Sequence, residues 1–233
     1  MINSEYKDWV DISRHFWFDA FMHIFIADLH LRPGNIADEA LFTDWLGRFN
    51  KADTEIYILG DLFEYWYSGI EPGVSNVLDA IRLKGARILS GNRDFLMMSS
   101  GRVPGLIRNE ELKISIYGKE YLLAHGHSLT THDLGFGLLH SLGWPILRFL
   151  DRRLKTESKE KIARAMIKAS SAIRPLSSEI KPDICAWKGV DTVICGHLHR
   201  GIMREDLIVL PAFADQRAWL EIDEKGRRFL KLS

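Results

Sequence analysis

Seven residues of this chain stand just past short apolar runs and carry side chains suited to divalent cations. They are Asp28 and His30 in IADLHL, Asp61 in YILGDLFEYW, Asn92 in SGNRDF, His125 in LLAHGHS, and His197 and His199 in VICGHLHRG. One residue separates Asp28 from His30, and one separates His197 from His199. In an extended chain residues two apart point to the same side, so each pair is expected to reach one ion. At four of the five tips a glycine adjoins the polar residue, letting the backbone turn sharply and approach an ion or a phosphate. Any single tip has an ordinary explanation, a turn-forming aspartate or a hydrogen-bonded core histidine. Five tips together do not, because burying so many polar groups without a cation is costly. Carboxylate, imidazole and amide oxygen without thiolate fit manganese or iron better than a structural zinc site. Seven ligands exceed the needs of one ion and suit two, roughly 3.5–4 Å apart and sharing a carboxylate.

The elements that must position these tips are legible as β-branched and aromatic runs. Strands are expected at 23–27, 55–59, 87–90, 112–117, 120–124, 191–195, 207–210 and 218–222, with YGKE as a hairpin turn. Helices are expected over roughly 36–50, 74–84 and most of 134–189. This order predicts an α/β fold of two packed mixed sheets flanked by helices, one domain over 22–233 with a helical cap inserted at 134–189. MHIFIADLHL reads as the start of the first strand, which makes residues 1–21 an expected N-terminal extension.

Composition sets outer bounds. The 233 residues are 46% hydrophobic and 27% charged, an ordinary globular mixture. Lys+Arg and Asp+Glu are 31 each, so no net charge favours a nucleic-acid partner, and none is expected. Two cysteines, Cys185 and Cys195, are too few for a disulfide framework and suit a reducing compartment, hence a cytoplasmic expectation. No basic-then-apolar leader opens the chain, and no apolar run is long enough to cross a bilayer.

The ordered series D-x-H, G-D-x-x-E, G-N-x-D, H and G-H-x-H, from Asp28 to His199, resembles the calcineurin-like metallophosphoesterases. Within them, FIADLHL, YILGDLFEYW, GNRDF, HGHSLTTHD and CGHLHR are similar to the UDP-2,3-diacylglucosamine pyrophosphatases of lipid A synthesis. The resemblance implies a four-layer fold and two divalent cations, Mn²⁺ foremost, with Fe or Zn as the other candidates. It implies one cation on Asp28, His30, Asp61 and His199, and a second on Asp61, Asn92, His125 and His197, with Asp61 bridging. The implied chemistry is attack of a cation-activated water on phosphorus. For Glu64 a supporting hydrogen bond to the site and a plain loop contact are equally open. The chain departs from the narrower pattern in YWYSGIEPG, which lacks the acidic residues common after that tryptophan, and in HGH, which puts His127 where aspartate is usual.

Arg93 occupies a position where the wider superfamily commonly has histidine. Arginine cannot protonate a departing alkoxide, but it can grip an anionic phosphate. A phosphate leaving from a diphosphate has a second pKa near ~6 and needs no proton, so Arg93 favours phosphoanhydride cleavage. A purely structural salt bridge is the alternative. Asn92 and Arg93 are thus the expected catalytic pair. Expected substrate contacts are Arg93, Asp133 (implied by the resemblance), and Lys161, Arg164 and Lys168, which share one helical stripe.

The segment between His125 and His197 is not required by the cation site. Leu138, Leu139, Leu142, Ile146, Phe149 and Leu150 recur there at helical spacing, Phe136, Trp144 and Leu147 widen the apolar surface, and Pro145 is expected to kink or interrupt the helix. Greasy helices beside a basic stripe fit a cap that receives acyl chains and rests peripherally on the inner membrane; two cap helices packing on each other is the plainer alternative. The leading expectation is hydrolysis of UDP-2,3-diacylglucosamine, a lipid-linked sugar nucleotide, to UMP and 2,3-diacylglucosamine 1-phosphate. The alternatives are a soluble phosphodiesterase or phosphatase acting on nucleotides or phosphoproteins, and a non-catalytic scaffold. Oligomeric state is left open.

Overall fold

The computed structural model describes residues 21–130, 144–172, 180–181 and 183–232, and for 144 and 166–172 the backbone alone. Asp133, the side chain of Lys168, the apolar residues Phe136, Leu138, Leu139 and Leu142, and positions 1–20 of the expected extension lie outside the described residues.

Two five-stranded mixed sheets carry the fold. The first has the order β10 (Gly226–Lys231), β9 (Ala218–Asp223), β1 (Met22–Ile26), β2 (Thr54–Leu59), β3 (Arg87–Leu89). Its β1, β2 and β3 are parallel, while β9 runs antiparallel to β1 and β10. The second has the order β4 (Glu111–Ile116), β5 (Lys119–Ala124), β6 (Thr192–Cys195), β8 (Leu207–Val209), β7 (Ile202–Met203). Every expected strand is present, and β7 and β10 are additional. The expected YGKE turn closes the β4–β5 hairpin with Tyr117 and Gly118 at φ 49° and 75°, a left-handed pair that matches strand twist.

Side-chain alternation builds the layers. Ile24 and Ile26 of β1, with Ile56 and Ile58 of β2, pack toward Phe42, Trp45 and Leu46 of α1 (Ile36–Gly47) and Val77 and Ile81 of α2 (Ser75–Lys84). Their alternates Phe25, Tyr57, Leu59 and Leu89 meet Tyr121, Leu123, Ile194 and Ile208 of the second sheet. Both faces of the central strands are therefore buried, which is why they read as continuous apolar runs.

Within the segment expected to form a cap, the described residues form α3 (Trp144–Arg153) and α4 (Thr156–Ala172), and α5 (Ile184–Lys188) precedes β6. Pro145 is the second residue of α3 as described, and the residues before Trp144, where a kink or break would show, lie outside the described residues. Of the expected basic stripe, Lys161 is exposed and Arg164 pairs with Glu160 on its own helix. A clasp centred on the buried Asp151 joins these helices to the core. Asp151 accepts the Ser68 N–H at 2.9 Å, its carbonyl accepts the Ser68 hydroxyl at 3.2 Å, and Lys159 reaches both Asp151, at 3.5 Å, and the Ser68 carbonyl, at 3.0 Å. Asp151→Ala leaves that N–H and ammonium without their acceptor. It is expected to cost about 1–3 kcal/mol and to speed amide exchange across α3 and α4; unchanged exchange there would show that the cap docks by other contacts.

Candidate metal centre

The tips converge because the loops after the strands are laced together through their backbones. Asp28 N–H donates to Gly60 O, Leu29 and His30 N–H to Asp61 O, Gly196 N–H to His125 O, and Ala214 N–H to Asp28 O, all at 2.9–3.1 Å. Two groups result whose ligand atoms lie within 4.8 Å of one another: Asp28, His30 and His199, and Asp28, Asp61 and His125. Asp28 is common to both. Asp61 also acts centrally, since its charge is felt at His30, His125 and His199.

The local geometry corrects the extended pairing expected from the D-x-H and H-x-H spacings. β1 ends at Ile26, and Asp28 and His30 have φ of 56° and 51°; Asp61, His197 and His199 have 49°, 67° and 55°. Among the described residues, five of the eight non-glycine residues with positive φ are thus expected ligands. Left-handed backbone is costly away from glycine, and its concentration here marks a site where surrounding structure imposes the conformation. The neighbouring glycines act by size. A Cβ at Gly91 would stand 2.1 Å from Asp61 Oδ1, and one at Gly196 would stand 2.6 Å from Asp28 Oδ2.

Asn92 joins the second group: its Oδ1 lies 3.0 Å from His125 Nε2, and Asp61 Oδ2 is 3.5 Å from the same nitrogen. His125 Nδ1 faces the Leu59 carbonyl at 2.9 Å and must donate to it, so in the neutral ring Nε2 is a lone pair. Three acceptors then face one another in a buried space, an arrangement that a cation resolves. On the other side, Asp28 Oδ1 is 3.1 Å from His199 Nε2 without a well-aligned hydrogen bond, and the buried His30 Nδ1 has no hydrogen-bond partner. The donor set fits divalent cations.

Electrostatics agree. Burial alone would lower the His125 pKa, but the carboxylates of Asp61 and Asp28 outweigh it and the pKa is raised. His199 is raised chiefly by its contact with Asp28, while burial prevails at His30 and lowers it. Asp28 is desolvated yet held below the usual carboxylate range by His199, His125 and His30. Two buried carboxylates among four histidines make a negative cradle that seeks positive charge.

His197 places its ring 5.1 Å from that of His125, and its N–H donates to Asp28 Oδ2 at 2.9 Å. His127 is buried beside both, its ring 5.4 Å from His125 and 6.3 Å from His197. Arg93 uses its backbone N–H to bind Asp61 Oδ1 at 3.0 Å, and its guanidinium pairs with the buried Glu64. Glu64 therefore supports the site rather than merely a loop, since it also lies 3.7 Å from His30 Nδ1. Lys161 and Arg164 are on the cap, with Arg164 close enough to Tyr65 for its charge to act there.

Asp94 was passed over as a site residue although it stands in GNRDF. It is fully buried and accepts the Gly91 N–H at 2.7 Å and the Phe63 N–H at 3.2 Å, tying the Asn92 loop to the Asp61 loop. Burial, then the nearby Asp61, push its pKa up to about 7. Its position three residues after Gly91 was the available signal.

A UDP-2,3-diacylglucosamine hydrolase of Pseudomonas fluorescens is 30% identical, covering 88% of this chain and 93% of the relative. One of Pseudomonas savastanoi pv. phaseolicola is 32% identical with the same coverage, and one of Actinobacillus succinogenes is 31% identical over 88% and 97%. The family model described as calcineurin-like phosphoesterase matches residues 23–201, the span that contains all seven expected ligands, and the chain belongs to that family.

Proposed function

We propose that this chain is a Mn²⁺-dependent hydrolase that splits the diphosphate of UDP-2,3-diacylglucosamine into UMP and 2,3-diacylglucosamine 1-phosphate. The observation that carries the reading is the placement of Arg93, held by Glu64 at the rim of a two-group cation site, where a proton donor would serve an alkyl leaving group. Two divalent cations, held by Asp28, His30, Asp61, Asn92, His125, His197 and His199, supply an activated water and neutralise phosphoryl charge when bound. The chain's own residues do the rest. Asn92 and Arg93 direct donors at the phosphoryl oxygens, and Glu64 fixes the guanidinium so that its fork is pre-set. A new O–P bond forms from water, which gives up a proton to solvent, as the bridging O–P bond breaks, and the departing phosphate leaves as an anion without a proton from the protein. Asp133, Lys161, Arg164 and Lys168 are proposed to contact the substrate from the cap side.

The cap supports a peripheral membrane contact on a cytoplasmic face. Ile146 and Phe149 of α3 are 59% and 58% exposed, with Arg152 and Arg153 in the last turn. Among the described residues no helix is long and apolar enough to cross a membrane.

The test is a substrate panel with Mn²⁺: UDP-2,3-diacylglucosamine, a cyclic nucleotide and p-nitrophenyl phosphate. Release of UMP from the lipid alone is expected, and turnover of the soluble compounds alone would reject the reading. Within that assay Arg93→Ala is expected to lose about 10²–10³-fold in kcat with cation binding intact. Full activity in Arg93→Ala would reduce Arg93 to a structural partner of Glu64.

A further inference from the structure

A polar pocket of about 260 Å³ opens beside His30, between the β1–α1 loop and the segment around α6 (Phe213–Gln216). It shares His30 and Glu64 with the candidate metal centre, and no residue of α3 or α4 lines it. The larger cavity, about 570 Å³ between α2 and residues 101–104, shares no residue with that centre and is set aside.

We infer that this pocket is the subsite for the nucleoside half of a nucleotide substrate, with Asp215 accepting from the ribose hydroxyls and Arg32 reaching the base. The inference rests on the diphosphate-cleaving function proposed above and assigns one end of that substrate.

Three observations carry it. First, the pocket is built rather than collapsed. Arg217 binds Asp38 at 3.0 Å, and the Asn35 amide binds the same carboxylate at 2.6 Å, so one wall is fixed before any ligand arrives. Second, two charged groups beside that wall are open to a ligand, Asp215 and the loosely paired Arg32. Asp215 makes no side-chain hydrogen bond or ion pair among the described residues, while its charge is felt at His199. Arg32 is 63% exposed and only 4.0 Å from Glu64 at its nearest. A carboxylate with two acceptor oxygens matches a vicinal diol, and an exposed guanidinium held only loosely by Glu64 stacks on a base. Third, the chemistry excludes the other end of the substrate. Leu29 and Ala214 are the pocket's apolar contributors, too little to hold acyl chains, whereas the cap presents the exposed apolar side chains of Ile146 and Phe149. The reacting diphosphate would then span the cation site, sugar nucleotide toward α6 and lipid toward the cap.

The test is calorimetric titration of the Mn²⁺-loaded full chain with UMP and, separately, with inorganic phosphate. UMP is expected to bind at least about tenfold more tightly than phosphate, and Asp215→Ala to weaken UMP about tenfold or more, the worth of a hydrogen bond to a charged group, while leaving phosphate affinity unchanged. Asp215→Asn and Arg32→Ala, exposed and isosteric or truncating changes, cover the case of a misfolded Asp215→Ala; each is expected to weaken UMP selectively. Equal affinity for UMP and phosphate in the unaltered protein, or UMP affinity untouched by all three variants, would overturn the assignment. Selective loss of UMP binding in a protein that does not cleave UDP-2,3-diacylglucosamine would retain the nucleoside subsite and refute only the lipid substrate.

Discussion

Asp61→Ala is expected to abolish hydrolysis, lowering kcat by well over the ~100-fold that marks loss of a group merely supporting a metal ligand. Asp61 is 3% exposed and touches both halves of the site: its Oδ1 holds the Arg93 N–H, and its Oδ2 faces His125. The stability effect should run the other way in cation-free protein. Asp28 and Asp61 are two buried carboxylates in one space, so removing one relieves like-charge repulsion, and the variant should melt at the same temperature as the parent or higher. Adding Mn²⁺ should raise the melting temperature of the parent and not of the variant, because a ligand stabilises only the state that binds it. A cation-induced rise of equal size in both proteins would place the ions elsewhere.

Gly91→Ala should be nearly as damaging although it removes no functional group. The added methyl would stand 2.1 Å from Asp61 Oδ1, 2.5 Å from the Asp61 backbone nitrogen, and inside a loop already clamped by Asp94. Neither neighbour is the free end of a flexible chain, so the Asn92–Arg93 loop must shift. Overpacking of this kind costs about 1–3 kcal/mol, and a displacement near 1 Å at reacting groups costs about 100-fold in rate. Both are measurable, by thermal melting and by kcat on the same preparation. A variant as stable and active as the parent would show that the loop is looser than its contacts indicate.

The core strands were legible because they are sandwiched: Phe25 and Ile26 face different layers, so Ile24, Phe25 and Ile26 of β1 read as an unbroken apolar run. β10 was not, because GRRFLK carries three cations. Its position at the sheet edge explains them: Arg228 pairs with Glu221 and Asp223 of β9, and the Arg227 guanidinium lies over the Tyr121 ring at 5.1 Å. β7 spans two residues and leaves no period to read. At the site, residue type and, at most tips, adjacency to glycine singled out the side chains that converge, but the backbone geometry that converges them was not legible. The left-handed backbones of Asp28, His30 and Asp61 arise from hydrogen bonds between loops that are distant in sequence, and local spacing suggested an extended chain instead. The clasp of Asp151 and Lys159 on Ser68 escaped notice for the same reason, since a buried aspartate on an amphipathic helix looks like any surface carboxylate until its partner is seen. Glu64 became informative only once Arg93 and His30 were found beside it.

The most direct test of the cation site is the number of Mn²⁺ ions bound per chain, measured by equilibrium dialysis with metal analysis on the full chain. Two ions are expected for the parent, with loss of at least one in Asp61→Ala and in His125→Ala. Failure of the parent to retain any divalent cation at saturating concentration, or retention of both ions by both variants, would contradict a hydrolase built on these loops.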